Sequence, residues 1–286
     1  MGAATPPPQS TGVAEPTPAD TDAGLHVPTR AELSRYPWLS KRVPVRSLES
    51  AIAPPAGFTR VEVKADSFGA WLRGLPLRAA GTPVHDFQGR EILPGDSPLL
   101  AAVAELDVGS ADLQQCADSI IRLHAEWLWS RGQKDRIAYH FTSGHLAKWS
   151  AYAEGDRPAI SGRNVSWVRT GSEDRSRAAF RAYLDMVFTY AGTLSLDREK
   201  KRPAREDVQP GDFIVAGGSP GHAVLVLEVA VNAAGERVVL LGQGSIPAQD
   251  FQVFTQGHND PWFPWAGEKL VTPFWDPFPW TALRRL

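Results

Sequence analysis

The segment that decides the fold runs from Pro210 to Gln243 and reads PGDFIVAGGSPGHAVLVLEVAVNAAGERVVLLGQ. Its apolar runs predict three strands, which cover Asp212–Ala216, His222–Val231 and Arg237–Gln243. The sequence Asn232-Ala-Ala-Gly235 is typical of a turn, and strands joined this closely favour an antiparallel meander. If the turn closes a regular hairpin, strand pairing brings Gln243 beside His222.

Two amphipathic patterns predict helices that pack on this sheet. The clearer one opens at Ser110 or Asp112, carries Cys116 on its apolar face and closes at Arg131-Gly132. The second covers Arg175–Tyr190. Helices combined with an antiparallel meander predict an α+β fold.

The two ends of the chain differ in composition from its middle. Residues 1–30 are rich in Pro, Ala and Thr with almost no large apolar side chain, which predicts a disordered tether. Residues 31–286 are long enough for one domain with additions, and we expect a single α+β domain there. The stretch from Trp262 to Trp280, dense in Trp, Phe and Pro, predicts an irregular segment laid over apolar surface.

Charge and composition exclude several classes of partner. The formal net charge is −2 with scattered Lys and Arg, so nucleic acid is not an expected partner. No apolar run reaches the length needed to span a bilayer. Cys116 is the only cysteine, which rules out an internal disulfide or a thiolate metal cluster, and we predict neither a metal nor a cofactor. A monomer is the default expectation.

His222 is the strongest candidate for chemistry. It opens a predicted strand behind the glycine-rich loop Gly217–Gly221, so the sheet braces its backbone while the ring stays within reach of a substrate. Such a histidine can act as a general base, and Gln243 could orient its ring. A base of this kind needs a nucleophile, and Cys116 is the first thiol to consider.

Pro210-Gly-Asp212, the strand after it, Gly221-His222 and the polar end of the last strand resemble the second half of NlpC/CHAP-type papain-fold cysteine hydrolases. The resemblance implies a papain-like core, in which a nucleophile-bearing helix packs on an antiparallel sheet, with N-terminal and mid-chain additions. It also implies a catalytic triad of Cys116, His222 and Gln243 that cleaves peptide or peptidoglycan amide bonds.

A second resemblance covers the chain from about Tyr36 to Leu286 and is carried by six short motifs. They are Thr82-Pro-Val-His85, Leu113-Gln-Gln-Cys-Ala-Asp118, Phe141-Thr-Ser-Gly144, Val187-Phe-Thr-Tyr-Ala-Gly-Thr-Leu194, Gly217-Gly-Ser-Pro-Gly-His-Ala223 and Pro247-Ala-Gln-Asp250. The chain resembles an uncharacterised bacterial family, domain of unknown function 4846. This resemblance implies an exported protein, periplasmic or extracellular, that is lipid-anchored before processing.

Two alternatives to a Cys116 hydrolase stay open at this point. Free cysteine is among the most buried residue types, so Cys116 could be a packed core residue of a non-catalytic exported binding or scaffolding domain. Hydrolysis could also use another nucleophile beside His222, such as Ser219 or Ser245.

Overall fold

The structure is a computed structural model that describes residues 24–162, 164–199, 201–257 and 260–286. It has a mixed α/β architecture with a mainly antiparallel sheet. Most of the predicted tether, residues 1–23, lies outside the described residues. The last residues of that prediction are ordered against the domain, because His26 bridges to Val45 and Thr29 caps the first helix.

The helices are α1 (Arg30–Arg35), α2 (Leu48–Ala51), α3 (Phe68–Arg73), α4 (Cys116–Ser130), α5 (Trp149–Ala153), α6 (Arg177–Tyr190) and α7 (Thr193–Asp197), with 3-10 turns at Lys134–Arg136, Arg205–Asp207 and Trp280–Ala282. The strands are β1 (Arg46–Ser47), β2 (Phe58–Arg60), β3 (Pro76–Leu77), β4 (Val84–His85), β5 (Glu91–Leu93), β6 (Leu100–Val103), β7 (Ala138–His140), β8 (Leu146–Lys148), β9 (Asp156–Ser161), β10 (Asn164–Arg169), β11 (Phe213–Ala216), β12 (His222–Asn232), β13 (Arg237–Gln243), β14 (Gln252–Phe254), β15 (Trp262–Pro264), β16 (Lys269–Thr272), β17 (Trp275–Pro279) and β18 (Leu283–Arg284).

The central sheet has eight strands and is built around β12. Its order is β18-β11-β12-β13-β14-β6, while β2 also pairs with β12 and β15 with β13. The predicted meander of β11, β12 and β13 is present, and the pairs are antiparallel. Gly235 closes the β12–β13 turn with φ +81°, a conformation that glycine adopts without a Cβ clash.

Successive residues of β12 serve two different cores. Ala223, Leu225 and Leu227 belong to the larger core, which contains the apolar faces of α4 and α6. Val224 and Val226 belong to a smaller core on the opposite face, together with Phe278. Both faces of β12 are therefore covered, and the strand is buried from His222 to Ala230.

The helix α4 begins later than the sequence pattern predicts. Its first residue is Cys116, not Ser110 or Asp112, and the N-cap Gln115 has an extended backbone. The residues before it are held as a loop by a distant contact, since the Asp112 carboxylate accepts the N–H of Ala248 at 2.7 Å. That tertiary hydrogen bond overrides the helical pattern of the preceding turn.

The prediction of an irregular C-terminal stretch is wrong. Residues 262–280 contain β15, β16 and β17, and β16 and β17 form an antiparallel hairpin over the smaller core. The strand β16 buries Leu270 and Thr272 while Val271 faces solvent, which is the alternation of a one-sided strand. The density of Trp and Pro around it conceals this short alternation in the sequence.

Among the helices of the described residues, none combines the length and the apolarity needed to cross a bilayer.

Candidate functional site

Cys116 lies on the floor of a cleft at the N-terminal end of α4. This cysteine cleft has a volume of about 440 Å³ and is bounded by the start of α4, the start of α7 and the loop Gly218–Gly221. Ile246, which is 60% exposed, stands at its rim. The late start of α4 therefore matters, because it puts the cysteine at the helix terminus and not one turn inside it.

The thiol is almost enclosed, with Cys116 only 3% exposed. Burial raises the pKa of the Cys116 thiol to about 11, although the backbone N–H groups of Ala223, Ala117 and Cys116 act in the opposite direction. At neutral pH on the order of one sulfur in 10,000 would then be a thiolate. Cys116 is a protonated thiol at rest.

Asp118 is a second polar group of the same cleft. Its Oδ2 accepts the N–H of Gln115 at 3.2 Å, while Oδ1 has no hydrogen-bond partner among the described residues. Burial raises the pKa of this carboxyl well above its usual value. The proximity of Asp118 also contributes to the raised pKa of Cys116, so the two groups oppose each other's ionisation.

The glycine-rich loop is fastened to α7 by one threonine. The Thr193 hydroxyl accepts the N–H of Gly218 at 3.3 Å and donates to the carbonyl of the same residue at 3.1 Å. A Cβ at position 221 would collide with Thr193 Oγ1 and the carbonyl oxygen of Ala216, so only glycine allows this approach. The loop thereby presents its backbone to the cleft.

His222 and Gln243 form a buried pair. The Nε2 atom of His222 lies 2.7 Å from Oε1 of Gln243, as the hairpin register led us to expect for their side chains. Because the amide oxygen can only accept, Nε2 carries the proton. Burial lowers the pKa of His222, and the bond to Gln243 partly offsets this effect. The pair is neutral.

The imidazole of His222 packs on the side of the sheet that carries the smaller core. The His222 ring stacks on Trp275 at 5.3 Å between centroids and lies 6.4 Å from Phe278, on the side of the smaller core. The next residue, Ala223, faces α4 and directs its backbone N–H to Cys116. The structure brings His222 and Gln243 together, and it places Cys116 at the backbone of Ala223, the residue after His222, while the His222 side chain is not among the lining residues of the cysteine cleft. A catalytic role for the three residues stays a prediction.

Sequence reasoning missed two residues of the cleft. Asp118 could have been found, because an acidic side chain three residues after an N-cap commonly bonds back to the cap backbone. Thr193 carried no local signal, since its contact with Gly218 joins two distant parts of the chain. Of the alternative nucleophiles, Ser219 lines the cysteine cleft.

The described residues contain no group of three or more His, Cys, Asp or Glu side chains placed to hold a metal ion.

The fold and the site define a mixed α/β domain with a cysteine-containing cleft at a helix terminus. The family model for Domain of unknown function (4846) matches residues 48–285, and the chain belongs to this family. No curated protein and no solved structure matches the chain.

Proposed function

We propose that the domain is a binding domain whose cysteine cleft holds a peptide-like ligand. One observation carries this proposal: the Cys116 thiol is only 3% exposed and burial raises its pKa to about 11, so it is protonated at neutral pH. Such a thiol needs a base before it can attack, and His222 is not among the residues that line the cysteine cleft. Binding needs no such base.

The groups that line the cleft suit an extended polar chain. The Gly218–Gly221 loop offers backbone hydrogen-bonding groups, and Asp118 adds an unpaired carboxyl oxygen among the described residues. Peptides bind in this way through alternating donors and acceptors. Peptidoglycan stem peptides are the first ligands to test, in keeping with a papain-like core and an exported, envelope-located protein, both of which remain part of the proposal.

A cysteine amidase or peptidase is the second candidate. It is favoured by the position of Cys116 as first residue of a fifteen-residue helix, where backbone N–H groups surround the sulfur. In this case the thiolate attacks the amide carbonyl, the amine leaves with a proton, and water hydrolyses the thioester. Turnover would require the His222 ring or the Asp118 carboxylate to accept the thiol proton.

Calorimetric titration with a soluble stem tetrapeptide tests the binding proposal. Ile246→Glu, at the cleft rim, is expected to weaken binding about tenfold by placing a charge against the ligand. Val271→Glu is the matched control, because Val271 is 65% exposed and lies on β16, outside the cleft. Equal affinities for the two variants would contradict the assignment of the cleft.

Mass spectrometry of the recovered peptide separates the two candidates. A binding domain returns the peptide intact, and Cys116→Ala leaves its affinity within about threefold of that of the parent chain. Cleaved peptide from the parent chain, together with loss of cleavage in both Cys116→Ala and His222→Ala, would establish the hydrolase instead.

A further inference from the structure

A second cleft lies against the other end of α4 and shares no lining residue with the cysteine cleft. It has a volume of about 420 Å³ and is enclosed by Phe68, His124, Trp127, Arg136 and the turn Gln209–Asp212. We call it the aromatic cleft. The proposed peptide site makes no use of it.

Three aromatic rings form one wall of the aromatic cleft. Phe68 lies 5.5 Å from Trp127 and 5.4 Å from His124 between ring centroids, and His124 lies 5.4 Å from Trp127. The indole N–H of Trp127 has no acceptor among the described residues. The ring planes of Phe68 and Trp127 differ by 34°, and that of His124 is nearly perpendicular to Phe68 at 80°. An aromatic wall of this kind is suited to a further ring in a tilted or edge-on arrangement.

His124 presents a hydrogen-bond donor to the cleft. Its Nδ1 lies 2.9 Å from the Tyr139 hydroxyl, which is buried and has no other partner within the described part of the chain. The phenol must donate to Nδ1, since an unpaired buried O–H is costly, and the ring proton therefore sits on Nε2. Burial lowers the pKa of His124 to about 3, with smaller contributions from Arg136 and Lys201, so the donor stays neutral.

The charges around the aromatic cleft favour an anion. Asp212 and Arg285 neutralise each other, because Arg285 NH2 bonds the Asp212 carboxylate at 2.8 Å. Of the remaining charged side chains that line the cleft, Lys64 and Arg136 are cationic and Glu62 is anionic. The carboxyl group of the last residue, Leu286, also lines the cleft and is paired with Lys201, whose Nζ donates to it at 3.0 Å. The excess of positive charge lies beside the Nε2–H of the neutral His124 ring. The charge and this donor would both act on the same negative group of a ligand.

We propose that the aromatic cleft binds a small aromatic carboxylate. Its ring lies against Phe68 and Trp127, and its carboxylate accepts the Nε2–H of His124 in the field of Arg136. The ring supplies apolar burial, and the charged group decides which aromatic molecules are accepted.

Naphthalene-2-carboxylate and its neutral analogue 2-naphthamide are suitable probes, measured by calorimetry with the full chain. We expect saturable one-to-one binding of the carboxylate and an affinity for the amide lower by about tenfold. Arg136→Gln should weaken carboxylate binding about fivefold, as for a partly exposed charge contact. Its effect on amide binding should be smaller than twofold.

Lys134→Gln is the matched control, because Lys134 lies on the same 3-10 turn as Arg136 but does not line the cleft. Its affinity for the carboxylate should match that of the parent chain. Phe68→Ala is not a suitable test, because it would disturb the core. His124→Gln is suitable, because the glutamine side chain retains an acceptor for the Tyr139 hydroxyl. It should reduce the preference for the carboxylate over the amide. Each of three outcomes would overturn the proposal. They are absence of saturable binding, equal affinity for the two probes, and equal losses of affinity in Arg136→Gln and Lys134→Gln.

Discussion

Replacing His124 with glutamine should make the free energy of unfolding less dependent on pH in the acid range. In the folded chain the pKa of His124 is about 3, whereas an unfolded histidine titrates near its ordinary value of 6.5. The unfolded chain therefore takes up a proton at this residue as the pH falls below 6.5, and the folded chain does not. The contribution of His124 to stability is complete above pH 6.5 and is lost progressively as the pH falls towards 3.

The size of this effect follows from the two pKa values. At about pH 5 the unfolded state gains about 2 kcal/mol from protonation of one free histidine, while protonation of the folded state is negligible. The parent chain should thus lose about 2 kcal/mol more than His124→Gln between about pH 7.5 and 5. Other titrating groups, including His222 and Asp118, are common to both chains and cancel in the difference.

Urea unfolding of both chains at a series of pH values measures the effect. Glutamine offers Tyr139 an amide oxygen in place of Nδ1, so a constant offset between the two curves is acceptable and only the difference in slope counts. Parallel curves within about 0.5 kcal/mol would refute the account of a neutral, desolvated His124. The tautomer argument for the aromatic cleft would then lose its support as well.

Three further outcomes are expected. Glu126→Ala should lower the free energy of unfolding by about 2–4 kcal/mol in chemical denaturation, because Glu126 pairs with the fully buried Arg122 at 3.0 Å and with Arg177 at 2.7 Å. Arg122 would keep only the half-exposed Asp107, at 2.8 Å, as a counter-charge. Gly244→Ala should lower the free energy of unfolding by about 1–3 kcal/mol, because its Cβ would press on Ser119 Oγ in the first turn of α4. An unchanged midpoint of thermal unfolding would show instead that Gly244 and α4 are loosely packed. Alkylation of Cys116 by iodoacetamide should be slow at neutral pH, and its rate should rise by about tenfold per pH unit towards the thiol pKa of about 11. Fast labelling at about pH 7 would contradict a buried, protonated thiol.

The strands were predictable because their signal is local. Apolar runs of strand length and the Asn232–Gly235 turn indicated β11, β12 and β13 within a residue or two of their actual bounds. The same register argument placed Gln243 next to His222, and the two side chains are hydrogen-bonded.

The face on which each β12 side chain lies could not be predicted from the sequence. A strand with one solvated face alternates apolar and polar residues, and this alternation identifies the inner face. The strand β12 is apolar from Ala223 to Leu227 because it lies between two cores, so the sequence does not tell which face receives His222. A triad argument based on strand position alone is therefore incomplete.

The start of α4 was missed for a different reason. Asp112 is an excellent N-cap residue by type, but its carboxylate serves Ala248 in a remote loop. A short stretch of sequence does not show that a distant backbone N–H competes with the helix terminus for this carboxylate. The same limit applies to Thr193, whose partner Gly218 is separated from it by 25 residues.

Consecutive residues of β12 contact Cys116 and Trp275. Ala223 directs its backbone N–H to Cys116, and the neighbouring His222 holds its ring against Trp275. A ligand that displaces the peptide group between His222 and Ala223 would also move the His222 ring. The imidazole protons of His222 could thus serve as a remote spectroscopic reporter of occupancy at Cys116.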